Sequence, residues 1–96
     1  AKRYYEYAIK LYPDGKSGYY GLGYYYLNKN ACKDAEKNFI KAQSRDRTDR
    51  TIYMLLYVTY SSCFGDIKKA ESVAKQYEAI FKKPILADLK ERIKGI

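Results

Sequence analysis

The side chains of this sequence that could do chemistry are 11 carboxylates, two cysteines and a Gly-Lys-Ser tripeptide, and the chain has no histidine. The lack of imidazole excludes histidine-based catalytic triads, histidine acid–base catalysis and histidine-ligated metal sites. The carboxylates offer no substitute, because they lie among lysines on predicted outer helix faces, where solvated ion pairing is the ordinary role. The sequence therefore predicts a protein that is not an enzyme, with no catalytic residue, no cofactor and no metal.

The two cysteines are too few for a disulfide scaffold or a four-ligand zinc site. Cys32 begins one predicted helix and Cys63 ends the next, so antiparallel packing of these helices would bring the two residues near each other. We predict two free thiols in a reducing compartment, since nothing else in the chain is typical of a secreted protein. A disulfide between them is the alternative.

Two glycine patterns are similar to phosphate-binding or nucleotide-binding motifs, but neither has the surrounding residues or elements that such a motif requires. Gly15-Lys16-Ser17 is similar to the end of a phosphate-binding loop, but that loop needs a glycine five residues earlier, where this chain has Lys10. Gly18, Gly21 and Gly23 are not a dinucleotide fingerprint, because they lie in a predicted helix without a βαβ unit. We interpret these three glycines as points of close helix packing.

Proline and glycine divide the chain into six predicted helices, and no strand alternation persists over a useful length. The predicted helices cover residues 1–12, 17–29, 31–44, 50–63, 66–82 and 84–95. The second and fourth are apolar on nearly all sides, whereas the last carries a narrow stripe of Ile85, Leu86, Leu89 and Ile93. Asp66 is the predicted N-cap of the fifth helix. The predicted fold class is all-α, in a single domain.

Internal repeats distinguish between a bundle and a solenoid of short helices. One set of residues recurs 34 positions later, three of the four with similar character: Ala1, Tyr5, Ala8 and Pro13 correspond to Ala35, Phe39, Ala42 and Arg47. A second pair of segments, residues 30–35 and 65–70, is 35 positions apart. This periodicity favours a solenoid, with one residue of slack in the last unit.

The residues of the repeat resemble the 34-residue signature of the tetratricopeptide repeat (TPR) family. One unit reads Tyr19-x-x-Leu22-Gly23-x-x-Tyr26, and Ala35-x-x-x-Phe39 and Ala42 follow it. The resemblance implies a right-handed α-solenoid of antiparallel helix hairpins, in which Ala35 meets Gly23 across a close contact. Residues 1–12 would be the second helix of a truncated unit, 17–45 a full unit, 50–82 a degenerate unit and 84–95 a capping helix. The resemblance thus implies that the chain is a fragment of a longer protein.

The degenerate unit departs from the family pattern at two points. Tyr57 stands where the family has a small residue, and one extra residue separates Tyr60 from Gly65. Either the helix that begins near Tyr53 is shifted by one residue, which places Val58 at the close contact, or its turn carries an insertion. We favour the insertion.

The resemblance implies a non-catalytic interaction module, an adaptor or scaffold, because the first helices of TPR units line a concave groove that holds a peptide or partner helix. Carried over to this chain, the groove residues are Tyr20, Tyr24, Leu27, Asn28, Thr51, Met54 and Val58. The other helix register would expose Leu55 and Thr59 instead. The Lys, Asn and Arg clamp of some family members is absent, so the groove is expected to prefer an apolar or aromatic segment. The alternative is that these tyrosines pack against units outside this sequence.

A lysine-rich convex face is the second candidate surface, formed by Lys29, Lys33, Lys37 and Lys41 at intervals of four residues. It is the basis of the alternative function, binding of nucleic acid or another polyanion. We disfavour nucleic acid because the chain has five Arg against 14 Lys and no known RNA or DNA motif.

The formal net charge of +8 suits an acidic partner. The longest apolar run, residues 53–60, is far shorter than the roughly 18 residues that span a bilayer, so no transmembrane segment is predicted. We expect a cytoplasmic protein that binds a protein or peptide. Self-association through the exposed first helix is a further expectation, because a solenoid unit buries its apolar face only against neighbours.

Overall fold

Helices make up nearly all of the computed structural model, which describes the backbone of residues 2–94 and the side chains of residues 2–91. The elements in chain order are α1 (Lys2–Leu11), α2 (Ser17–Asn28), α3 (Cys32–Arg45), α4 (Arg50–Val58), a π-helix (Thr59–Phe64), α5 (Ile67–Phe81) and α6 (Ile85–Lys94). No strand occurs within residues 2–94, so the predicted all-α class is confirmed. Residue Ala1 of the repeat and the side chain of Ile93 in the predicted stripe lie outside the described residues.

The helix ends reproduce the repeat in the backbone. Asn30, which follows α2, and Gly65, which follows the π-helix, both have left-handed backbone conformations, with φ of 58° and 68°. They are the first residues of the two segments that recur 35 positions apart. Asp66 is the N-cap of α5, as predicted, because its carboxylate accepts a hydrogen bond from the Lys69 amide at 3.1 Å.

The π-helix covers the segment between Tyr60 and Gly65, where the TPR resemblance implies one extra residue. A π-turn includes one more residue than an α-turn, so an insertion can be absorbed inside a helix without disrupting its ends. The hydroxyls of Thr59 and Ser61 donate to the carbonyls of Leu55 and Tyr57 at 2.7 and 2.8 Å, where the helix changes pitch. The segment where the resemblance implies one extra residue is therefore a π-helix, and our preference for an insertion in the turn stays a prediction.

The glycines of α2 let two helices approach it closely. A methyl group at Gly18 would lie 2.6 Å from the side chain of Ile9 in α1, and Gly21 faces the ring of Tyr5. On another side of α2, a methyl group at Gly23 would lie 2.6 Å from the ring of Phe39 in α3. The interpretation of these glycines as packing contacts is confirmed, and the atoms nearest to the Gly23 position belong to Phe39.

The core runs from α3 through α4 to α5 and the start of α6. Its largest fully buried side chains are Tyr53, Tyr77, Phe39, Ile52, Leu56, Ile85 and Thr59. Each helix packs mainly against its neighbours in the chain. This places the aromatic residues of α4 and α5 in contact, with the Tyr53 ring edge-on to Tyr77 and Phe81 at 6.2 and 5.5 Å.

A disulfide joins Cys32 to Cys63, with their Cα atoms 5.7 Å apart. It connects the first residue of α3 to the π-helix, and both residues are half-buried. The prediction of two free thiols is therefore wrong. The reason is the one that favoured the alternative. α3 begins beside the end of its antiparallel neighbour, the helical segment from Arg50 to Phe64 that follows it in the chain.

Candidate partner-binding surface

The candidate surface begins on α2, whose glycine-bearing sides are occupied by α1 and α3. On the remaining side, Tyr20 and Leu27 are half-buried against the core, whereas Asn28 is exposed and Tyr24 is 50% exposed. The ring of Tyr20 is edge-on to Phe39, with 6.4 Å between the ring centroids. The structure therefore places the four predicted α2 residues on one side, with Tyr24 and Asn28 outermost.

The contribution of α4 is smaller than the sequence predicts. Thr51 and Val58 are half-buried, but Met54 is only 4% exposed, so its predicted place on an open groove is wrong. Met54 belongs to the core, and beside it lies a cavity of about 270 Å³ that it lines with Arg50, Asp88 and Glu91. Asp88 and Glu91 of the predicted capping helix α6 thus border the same depression as Met54.

The residues that the other helix register would expose, Leu55 and Thr59, are not exposed either. Leu55 is half-buried and packs against the core, and Thr59 is fully buried. The partly accessible residues of this helix are therefore Thr51 and Val58 in the favoured register and Leu55 in the other.

Ion pairs fix the two turns at the edge of the candidate surface. The ammonium of Lys16 lies 2.6 Å from Asp46 and 2.9 Å from Asp49, which joins the turn before α2 to the turn before α4. Hydrogen bonds to these carboxylates raise the pKa of Lys16, and the same contact lowers the pKa of Asp46. Lys16 and Asp49 then form a depression of about 250 Å³ with Ser17 and Tyr20.

The lysine face is partly discontinuous. Lys33, Lys37 and Lys41 are exposed on α3, at intervals of four residues. Lys29 precedes the left-handed turn at Asn30, so it does not lie on the same helix as the other three, and the predicted four-residue series is wrong at this position. Its ammonium lies 5.6 Å from the centroid of the Tyr25 ring.

A buried carboxylate, predicted with the others to lie on an outer helix face, connects α6 to α5. Asp88 is 6% exposed and accepts a hydrogen bond from the Tyr77 hydroxyl. Lys83 and Arg50 lie 3.2 and 3.4 Å from it. The Tyr77 hydrogen bond, together with Lys83, lowers the pKa of Asp88. The sequence did contain a signal for this burial: Asp88 lies three residues after Ile85 and therefore on the same side of the helix as the apolar stripe.

The Tyr77–Asp88 contact makes stability sensitive to alkaline pH. Burial, and then the hydrogen bond to Asp88, raise the pKa of Tyr77 to about 12. Above pH ~10 the unfolded chain releases this phenol proton while the folded chain keeps it. The unfolded state then binds fewer protons, so the free energy of unfolding falls as pH rises from 10 towards 12.

Tyr77→Phe is expected to make this alkaline decline shallower and to lower the free energy of unfolding at pH 7 by about 1–2 kcal/mol, through loss of the hydrogen bond. Urea unfolding at pH 7, 10 and 11 measures both effects. Phe81→Leu is the control, because it perturbs the same cluster without removing a titrating group. If the free energy of unfolding falls equally with pH in the wild type and in Tyr77→Phe, the alkaline decline does not come from the Tyr77 phenol.

No group of three or more potential metal ligands of the His, Cys, Asp and Glu types occurs within the described part of the chain. In the same residues, we find no helix whose length and apolar character suffice for a membrane crossing. Comparison of the chain with protein-family models, with curated proteins and with solved structures finds no match. Function therefore has to be inferred from the surface chemistry.

Proposed function

We propose that this chain is a non-catalytic interaction module, an adaptor or scaffold of the TPR type, that binds a peptide or partner helix. The binding surface, called here the groove face, consists of Tyr20, Tyr24, Leu27, Asn28, Thr51 and Val58. The observation that carries the proposal is the asymmetry of α2. This helix has no charged residue, presents glycines to both neighbouring helices and leaves tyrosine on its accessible side.

Three features support a right-handed stack of helix hairpins as the architecture of this module. The left-handed residues Asn30 and Gly65 recur 35 positions apart, and Gly23 makes the close contact that a hairpin needs. Packing is mainly between helices adjacent in the chain, as in a solenoid. α6 then closes the last hairpin as a cap, with Asp88 as its anchor.

The groove face has the chemistry of a protein-binding surface. A tyrosine ring buries a large apolar area with few rotatable bonds, and its hydroxyl can bond a partner backbone. Tyr20 is held by Phe39, so little side-chain entropy remains to be lost on binding. Tyr24 is the expected centre of binding energy, because it is the large apolar side chain of α2 with the greatest exposure.

Tyr24→Ala is expected to weaken partner binding by about 30-fold or more, which is the effect of losing an aromatic hot spot of about 2 kcal/mol. Partners are recovered with the immobilised wild-type chain, and their Kd values for the variants are then measured by calorimetry. Tyr12→Ala is the matched control, because Tyr12 is 72% exposed and follows the end of α1, away from the groove face. Equal affinities for wild type and Tyr24→Ala, with folding intact, would reject the groove face.

Polyanion binding through Lys33, Lys37 and Lys41 is the second candidate, since these side chains are exposed along one helix. Like charges at this spacing repel by about 0.2–0.5 kcal/mol per pair, a cost that an acidic partner would remove. Salt distinguishes the two functions. Binding to phosphates weakens steeply, with a slope of roughly −0.9 in log K per log salt for each neutralised phosphate, whereas binding to the groove face responds weakly.

The cellular compartment follows from the disulfide in this proposal. The expectation of a cytoplasmic protein depended on free thiols, and the Cys32–Cys63 bond removes that support. Disulfides persist in oxidising environments and are rare where glutathione and thioredoxin keep thiols reduced. We therefore favour an oxidising compartment as the place where the module acts.

A further inference from the structure

α1 carries an exposed apolar stripe that the groove face does not include. Tyr4, Tyr7 and Leu11, called here the α1 stripe, are 73%, 60% and 52% exposed. Their spacing of three and four residues places them on one side of the helix. Tyr5 and Ile9 pack on the glycines of α2, so the stripe lies on a part of α1 that α2 leaves uncovered.

The repeat shows that this stripe is a property of α1 and not of the hairpin architecture. With the 34-residue offset, Tyr4, Tyr7 and Leu11 correspond to Asn38, Lys41 and Arg45 of α3. These α3 residues are polar or charged. α3 packs against both α2 and α4, and neither neighbour requires an apolar residue at these positions. In α3, which needs no further contact, the three positions therefore carry residues that are compatible with water. Aromatic and aliphatic residues at these positions indicate that something covers them.

The charge around the stripe favours an anionic occupant over a second copy of the chain. Arg3 and Lys10 are exposed beside it, and α1 carries Lys2 as well against one acidic residue, Glu6. A symmetric contact between two stripes would bring Arg3 and Lys10 of both copies together, in chains of formal charge +8 each. An anionic surface would instead neutralise these cations.

We propose that the α1 stripe is a peripheral binding site for an anionic lipid bilayer. An amphipathic helix with apolar rings on one side and basic residues beside them lies in the plane of the interface. Tyrosine suits this depth, because its ring enters the boundary of the acyl chains while its hydroxyl stays among the headgroups. Arg3 and Lys10 would then lie at the level of the lipid phosphates.

The test is co-sedimentation of the full chain with vesicles of equal parts phosphatidylglycerol and phosphatidylcholine, compared with phosphatidylcholine alone. The wild type is expected to bind the anionic vesicles at least tenfold more tightly. The double variant Tyr4→Ser with Tyr7→Ser is expected to raise the lipid concentration for half-binding at least tenfold. Both side chains are mostly exposed, so the fold is retained, which circular dichroism verifies.

Matched variants separate this site from the other surfaces. Tyr24→Ser removes an exposed tyrosine of the groove face and is expected to leave vesicle binding unchanged, so the two proposals fail independently. Lys68→Gln with Lys75→Gln removes two exposed charges from α5 and is expected to have less effect than Arg3→Gln with Lys10→Gln. Vesicle binding that survives loss of the stripe would overturn the proposal. Stripe-dependent dimerisation in ultracentrifugation, or stripe-dependent binding of polyuridylate, without vesicle binding would equally overturn it.

Discussion

Replacing both cysteines, Cys32→Ser with Cys63→Ser, is expected to lower the free energy of unfolding by about 3–4 kcal/mol. The two residues are separated by 31 positions, and closing a loop of this length removes roughly that much entropy, expressed as free energy at 25 °C, from the unfolded chain. Urea unfolding of the oxidised wild type and of the variant measures the difference. For a chain of this size, with a total stability on the order of 5–10 kcal/mol, the loss is a large fraction.

A reductant supplies the internal control for the disulfide. Dithiothreitol is expected to move the unfolding midpoint of the wild type to that of the double variant and to leave the variant unchanged. A wild-type midpoint that does not respond to dithiothreitol, together with two thiols titrated by Ellman's reagent, would contradict the bond. Ser62→Ala, an exposed change in the same π-helix, is expected to shift stability little.

The helices could be predicted from the sequence because their signals are local. Apolar spacing, proline and glycine fixed the six segments to within a few residues, and the Asp66 cap follows from a side chain that reaches its own helix. The glycines of α2 were also interpretable, since three glycines in one apolar helix have few roles other than close packing. Local patterns therefore determine the elements and some of their contacts.

The disulfide and the buried state of Met54 could not be predicted, because both depend on placement between elements. Whether Cys63 reaches Cys32 depends on how the helix before Gly65 winds, and only the backbone shows that this segment is a π-helix. Met54 has the spacing of a groove residue within α4. Its burial depends on packing against other helices of the core, so no pattern within α4 could reveal it.

The groove face illustrates the same division between local and distant signals. Tyr24 and Asn28 are exposed, as the resemblance to TPR units implies from their places within α2. Tyr20 lies one turn earlier, and its position depends on Phe39, a residue of the next helix. The proposed groove face would therefore depend on a core residue, Phe39, that is itself fully buried.

Phe39→Ala is expected to lower the free energy of unfolding by about 3–5 kcal/mol, the range for truncating a buried phenylalanine. Phe39 is fully buried between Gly23 and Tyr20, and neither glycine nor a neighbouring ring edge can fill the cavity left behind. Ile40→Ala is the matched control: Ile40 is the next residue, is 45% exposed, and should cost well under half as much. Equal losses for both variants, measured by urea unfolding, would show that Phe39 is not the packing centre of the α2–α3 hairpin.

The same core residue links stability to recognition, and the milder variant Phe39→Leu separates the two effects. Leucine retains most of the buried volume but lacks the flat ring that faces Gly23 and the edge of Tyr20. The chain should stay folded, while Tyr20 loses the ring that fixes its orientation and partner affinity falls because more side-chain entropy is lost on binding. If Phe39→Leu binds partners as tightly as the wild type, whereas Tyr24→Ala does not, recognition depends on Tyr24 without the support of the α2–α3 core.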